Sequence, residues 1–225
     1  KARVACVDIN PQALGVVVDE ITADGGEARA YAVDLSDGEA IKQLIADVAR
    51  DFGGIDILVN NAGGGPPVEA ATATPSLTEK IIALNLVAPL VLAQQAHSAL
   101  GSGDQPGVII NIASDAAKIP TVGEAVHGAL MAAIDMFSRT LALEAARFGV
   151  RVHVITPSIV VNTHSYDRMM DGEFSEKLFK RALEKAALGP VSPEDISPLI
   201  VFLASPAAKK MTGQRITVNG GIAIS

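Results

Sequence analysis

The sequence predicts a single-domain α/β protein, a doubly wound parallel sheet with helices on both faces. Apolar runs of strand length alternate with amphipathic stretches of helix length from one end of the 225 residues to the other, the pattern that builds parallel sheets. The hydrophobic share of 49% and the mean hydropathy of +0.34 are high, as expected when strands are covered on two sides. No internal repeat, linker or low-complexity segment divides the chain, and its length suits one large domain.

The elements follow in order. Arg3–Asp8 is a strand, and Pro11 opens a helix that runs to about Asp24 and stops at Gly25-Gly26, a proline start and a glycine end. Residues 28–33 form the next strand. Ser36 or Asp37 caps a helix whose apolar residues Ile41, Leu44, Ile45, Val48 and Phe52 recur at helical spacing. Residues 55–59 are a short strand, residues 76–100 a long helix, 108–112 a strand, 123–148 a second long helix and 151–156 a strand. Residues 164–188 read as one or two amphipathic helices with Met169, Met170, Phe174, Leu178, Phe179 and Leu183 on the apolar side. Pro193 opens a helix ending near Ala204, and residues 215–218 are the last strand.

A net charge of −7 and a pI near 5.1 argue against nucleic acid as a partner, because a basic face supplies most of that affinity. No uninterrupted apolar run reaches the roughly 18–20 residues of a membrane span, and neither a signal-peptide pattern nor a lipidation motif is seen. Cys6 is the single cysteine, so no intrachain disulfide can form and a reducing cytoplasm is the expected setting. Cysteines and histidines form no cluster with metal-ligand spacing, and neither a P-loop nor a Gly-x-Ser-x-Gly elbow is present. No metal is expected.

Several segments carry a family resemblance in their order and spacing. They are Asn60-Asn61-Ala62-Gly63 after the third of the strands read here, Asp34 in Val33-Asp34-Leu35-Ser36, Asn85 in Leu84-Asn85-Leu86, Ser114 in Asn111-Ile112-Ala113-Ser114, and Pro157. The ending Leu203-Ala204-Ser205, Thr212-Gly213-Gln214, Val218-Asn219-Gly220-Gly221 belongs with them. Together these resemble the short-chain dehydrogenase/reductase family over essentially the whole chain. The resemblance implies a Rossmann-like fold, a nicotinamide cofactor, and hydride transfer to or from a small alcohol or carbonyl. It implies that Asp34 sits near the adenine, that Asn60, Asn61, Ala62, Gly63, Pro157 and Thr163 line the cofactor, and that Asn85 and Ser114 are catalytic. It also implies a lid over residues 164–188 and a homo-oligomer, dimer or tetramer, built on the two long helices. Small residues such as Ala129, Ala132, Ala142 and Ala145 would allow close helix approach there.

Asp8 is readable physically. An acidic residue at the carboxyl end of such a strand accepts hydrogen bonds from ribose hydroxyls and repels a 2′-phosphate, which favours NAD over NADP. The alternative is that Asp8 caps a turn before Pro11.

Three departures stand against the resemblance. The Gly-rich phosphate loop lies about 20 residues before the ribose-binding acid, and counting back from Asp8 runs off the chain. Gly63-Gly64-Gly65 is no substitute, because Pro66-Pro67 follows. A longer natural polypeptide is expected, and an intact mass different from 23.2 kDa is the matching observation. The family's Tyr, thirteen residues after the Ser, is here His127, and its Lys, four further on, is Met131. Met131 offers neither charge nor donor, so it is expected to pack only. His127 remains an acid–base candidate, with an ordinary pKa near 6.5, or else a polar residue facing a vacated cleft. Tyr166 is a candidate replacement phenol. Finally, Ser158 stands where the family has Gly, and Thr163 lies one residue beyond the family's Thr.

These observations support an NAD-linked oxidoreductase in which Ser114 binds the substrate oxygen, His127 moves the proton and Asn85 holds a relay water. The alternatives are a redox-inactive homologue acting as a binding or oligomerisation partner, and a lyase or hydratase without cofactor chemistry. Met169, Met170, Phe174 and Phe179 are expected to form an apolar wall, and Lys177, Lys180, Arg181 and Lys185 a solvated face.

Overall fold

A computed structural model describes residues 2–101 and 106–223. The strands are β1 (Arg3–Asp8), β2 (Glu27–Ala32), β3 (Ile57–Asn60), β4 (Val108–Ile112), β5 (Arg151–Pro157) and β6 (Gln214–Val218). The helices are α1 (Pro11–Ala23), α2 (Gly38–Phe52), α3 (Pro75–Ile82), α4 (Ala88–Ala96), α5 (Ala125–Ala145), α6 (His164–Met170), α7 (Glu173–Leu183) and α8 (Pro193–Ala204).

All pairings are parallel, and they fall in two ladders. β1 pairs with β2, while β3, β4, β5 and β6 pair in that order. Among the described residues no ladder joins β1 to β3. Each keeps an unpaired edge, and Ile57 and Val59 of β3 are 41% and 38% exposed.

Helix starts follow local chemistry. The Asn10 side chain accepts from the backbone N–H groups of Gln12 and Ala13 at 3.0 and 3.1 Å, and Pro11 occupies the first turn. Asp37, not Ser36, caps α2; Ser36 turns back onto Asp34 instead. All five apolar residues predicted for the inner face of α2 are buried.

The long stretch from Pro75 to Ala96 is not one regular helix. A π-helical turn, Ala83–Val87, separates α3 from α4. Pro89 lacks the N–H that the Asn85 carbonyl would accept in an α-helix, a sufficient local cause for the change of pattern. This stretch is long and apolar enough to cross a membrane by length and composition. Here it packs against α2 and α5 and gives Ile81, Ala88, Leu92, Ala93 and Ala96 to the core.

Strand alternation divides that core into two faces. Ile109 and Val152 point to a cluster with α2, α4 and the end of α5. Val108, Ile110 and Ile155 point to a cluster with Ile196 and Leu203 of α8. A third cluster, of Ile81, Ala113, Leu130, Met131, Ile134 and Val154, lies beneath the carboxyl end of β4. It is the floor on which the site is built.

Candidate active site

A cleft of about 1310 Å³ runs along the carboxyl ends of the strands, where open α/β sheets bind ligands. Every residue expected from the sequence to be catalytic or to line the cofactor borders it. Asp8 and Asp34 line one end, Asn60, Asn61, Ala62 and Gly63 the middle, and Asn85, Ser114 and His127 the other end, with Pro157 and Thr163 on the facing wall.

Register explains the middle. β3 and β4 pair with Asn60 opposite Asn111. Asn60 Nδ2 donates to Asn111 Oδ1 at 2.7 Å, Asn111 Nδ2 to Ser138 Oγ at 2.7 Å, and Ser138 Oγ to the Ile134 carbonyl at 2.7 Å. This buried chain ties two strands to α5. Asn60 Oδ1 has no partner.

Asn85 stands in the π-helical turn and is buried. Its Nδ2 donates to the Ile81 and Gly64 carbonyls, both at 2.8 Å, and its Oδ1 accepts from the Gly64 N–H at 2.7 Å. The side chain therefore clamps the strap that follows Gly63. A Cβ on Gly63 would stand 2.8 Å from Asn85 Oδ1, so glycine permits this approach. The sequence reading gave Asn85 a relay water. Both side-chain N–H groups are already used, so the side chain has no donor left for that water.

Ser114 lies two residues beyond β4, in extended conformation, and caps a short 3₁₀ turn, Asp115–Ala117, accepting from the Ala116 N–H at 3.2 Å. The turn packs on the start of α5. Gly128 makes this possible, because a Cβ there would lie 2.8 Å from the Ala116 carbonyl oxygen. Its neighbour His127 is thereby brought to the Ser114 side of the cleft. The His127 ring makes no hydrogen bond among the described residues. Burial pushes its pKa below the ordinary value, because the charged form is poorly solvated there. Met131 is 4% exposed and belongs to the apolar floor.

Two carboxyl groups at this end were not singled out from the sequence. Asp115 is buried, and burial pushes its pKa up, opposed by hydrogen bonds from Ser158 and Asn219. Glu124, one helical turn before His127, is also raised, first by burial and then by the charge of Asp115. A hydrogen bond with Thr121 opposes that rise. Each group around Ser114 is biased toward its neutral form. Aspartate after the serine and glutamate before a helix look like ordinary turn residues, so the sequence held no signal of their burial.

At the other end, Asp8 caps the turn before Pro11. Its Oδ1 accepts from the Asn10 N–H at 2.8 Å, and the carboxylate also lines the cleft. The Ser36 hydroxyl and N–H hold the Asp34 carboxyl below its ordinary range. Thr163 is committed to local structure. It donates to the Val160 carbonyl at 2.9 Å and caps α6 at the Tyr166 N–H, 3.1 Å away. Asn162, at φ 61°, sets that turn.

Tyr166 is not among the residues lining the cleft, so no replacement phenol is delivered. Met169 and Phe179 line it as expected, Met170 does not, and the side chain of Phe174 lies outside the described residues. The expected cationic face is exposed, as read from the sequence, and two of its members, Arg181 and Lys185, also line the cleft, as does Arg168. Helix periodicity places Leu178, Arg181 and Ala182 on one stripe of α7, and Lys185 follows in the turn after the helix.

A family model described as Enoyl-(Acyl carrier protein) reductase matches residues 1–223. The chain is 30% identical to a 2,3-dihydro-2,3-dihydroxybenzoate dehydrogenase of Bacillus subtilis over 98% of its own length and 86% of that relative. A short-chain dehydrogenase of Burkholderia cenocepacia, solved in complex with NADP, superposes with a TM-score of 0.88 at 27% identity, covering 98% of this chain and 87% of that one. A 7α-hydroxysteroid dehydrogenase, solved with NADH and 7-oxo glycochenodeoxycholic acid, gives a TM-score of 0.89 at 30% identity, covering 98% and 84%. The parallel sheets, the cleft at the strand ends, and these matches across the whole chain place it in the short-chain dehydrogenase/reductase family of oxidoreductases.

Proposed function

We propose that the chain catalyses NAD-linked oxidation of a small alcohol, or the reverse reduction, with Ser114 holding the substrate oxygen and His127 moving its proton. The observation that carries this reading is His127 itself. It occupies the position of the family's Tyr, lines the cleft with Ser114, and has a ring free of other hydrogen bonds among the described residues.

The cleft fits a dinucleotide. At about 1310 Å³ it exceeds the roughly 300–1,000 Å³ of ordinary ligand sites, and only one oxygen of Asp8 is engaged by Asn10. The remaining oxygen would accept from ribose hydroxyls and repel a 2′-phosphate, which favours NAD over NADP. Asn60, Asn61, Ala62 and Gly63 would form the floor, and Pro157 and Thr163 the opposite wall. The nicotinamide, when bound, supplies or takes the hydride.

His127 is neutral near pH 7, because burial lowers its pKa. A neutral imidazole accepts a proton readily, so the site is set for alcohol oxidation. The substrate hydroxyl would donate to His127 while Ser114 donates to the same oxygen. Met131 brings no charge to replace the family's Lys, and an imidazole needs none to be neutral, and so a proton acceptor, at pH 7.

Titration of NADH and NADPH into the protein by calorimetry tests the cofactor half of this reading. Micromolar binding of NADH with weaker NADPH is expected; binding of neither overturns it. The uncharged floor at Met131 favours a second reading, a redox-inactive homologue that binds a partner. NAD-dependent turnover of any alcohol in a panel rejects that one. We also propose a homo-oligomer built on the helical stretch 75–96 and on α5, whose outward faces carry Val87, Met136 and Leu143, 47%, 58% and 79% exposed. A monomer mass by light scattering would refute it. The protein is proposed to work in the cytoplasm without nucleic acid or membrane, in keeping with one cysteine and a net charge of −7.

A further inference from the structure

We propose that the substrate carries an anionic group, a carboxylate or a phosphate, bound by Arg181 and Lys185 with Arg168 beside them, while its apolar body lies on Met169, Leu178 and Phe179. This rests on the reading that an alcohol or carbonyl compound is turned over in the cleft.

The argument begins with how charge is sorted on the wall formed by residues 164–185. Arg168, Arg181 and Lys185 line the cleft, whereas Asp167, Asp171, Glu173, Glu176 and Glu184 from the same wall do not. Lys180, one position from Arg181, is paired with Glu176 at 2.5 Å and stays outside the cleft. Arg181 lies on the stripe of α7 that also bears Leu178 and Ala182, and Lys185 lies in the turn just after the helix. Neither has a carboxylate partner among the described residues. Among these residues Arg168 hydrogen-bonds only the Ser165 hydroxyl, at 3.4 Å. It reaches across to the strap, where a Cβ on Gly64 would lie 3.3 Å from its Nη2.

This cationic wall runs against the charge of the molecule, which is −7. The acids of the cleft lie elsewhere. Asp8 and Asp34 follow β1 and β2, and Asp115 and Glu124 lie beside Ser114 and His127. An anionic substrate is therefore oriented with its charged end on α7 and its neutral oxygen at Ser114. Arginine with an adjacent lysine suits carboxylate or phosphate oxygens, and the apolar side chains between them suit a short hydrocarbon body.

The test uses three probes, 4-oxooctanoate, its methyl ester and 4-oxooctanoyl-coenzyme A. Equilibrium binding and NADH oxidation are both measured on the wild-type protein and on the double variant Arg181→Ala/Lys185→Ala. Both residues are exposed, so folding should be unaffected. At least one anionic probe should bind about tenfold tighter than the ester, and added salt should weaken that preference. The double variant should erase it while leaving the dissociation constants of the ester and of NADH within about twofold. A tighter free acid points to a carboxylate; a tighter thioester with an indifferent acid points to phosphate. Equal binding of all three probes, or of none, overturns the proposal. So does a preference that survives in the double variant. A variant that loses NADH affinity instead would assign these cations to the cofactor and also overturn it. Charge-selective binding without NADH oxidation would keep the anion site and reject the oxidoreductase reading; oxidation without charge preference would do the reverse.

Discussion

Asn85→Ala should destabilise the protein by an amount that follows from its three hydrogen bonds. The side chain is 5% exposed. It satisfies the Gly64 N–H at 2.7 Å and the Gly64 and Ile81 carbonyls at 2.8 Å each. Alanine fills less space and leaves all three groups without these bonds. At about 1 kcal/mol net for each bond, the loss is about 3 kcal/mol. For a chain of this size each kcal/mol lowers Tm by about 2–4 °C, so a fall of about 6–12 °C is expected. Asn85→Asp is the sharper variant. It keeps the acceptor for the Gly64 N–H but replaces both donors with a carboxylate oxygen facing two carbonyls, so its cost should equal or exceed that of alanine. Thermal unfolding followed by circular dichroism measures both variants, and limited proteolysis reports opening of the strap at Gly64. A fall of less than about 2 °C for both variants would refute the clamp.

Three further outcomes follow from particular residues. His153 is fully buried and its pKa is pushed down to about 4 by burial and by the charge of Arg151. The unfolded chain therefore binds the extra proton first. The neutral ring contributes stability above pH about 6.5, which is lost as pH falls toward 4 and amounts to about 3 kcal/mol. His153→Asn should flatten this part of the stability–pH curve, measured by urea unfolding. Met131→Lys places an unpaired charge in an apolar cluster and should cost about 3 kcal/mol or more, while Met131→Leu should stay within about 1.5 kcal/mol; chemical denaturation separates the two. Asp8→Asn should shift the ratio of NADPH to NADH affinity by about fivefold or more toward NADPH, the effect of one charge removed at close range in water, with calorimetry as the readout.

Local sequence chemistry determined much of what could be read in advance. Pro11, Asp37 and Pro193 mark helix starts, and the inner face of α2 follows from spacing alone, because neighbours along the chain decide these features. The break at Ala83–Val87 was also written locally, in Pro89, but an otherwise continuous helical pattern hid it. What escaped depends on distant residues. Asn85 meets Gly64 across 21 positions, so its side chain is taken up by a strap no periodicity reveals. Packing of α5 on the turn after Ser114 buries Asp115 and half-buries Glu124. Arg181 and Lys185 are exposed as read from the sequence, but spacing does not tell that they border the cleft.

The central claim is that His127 takes the proton from the substrate hydroxyl. It is tested most directly by the pH dependence of kcat/KM for NAD-dependent alcohol oxidation, compared between the wild-type protein and His127→Ala. The account predicts a wild-type profile that rises with pH through a single ionisation below the ordinary histidine value and is flat near neutrality, the direction set by burial of the ring. His127→Ala should lose the ionisation and about 10²–10⁴-fold in rate. Equal rates with the same ionisation in both proteins would contradict it.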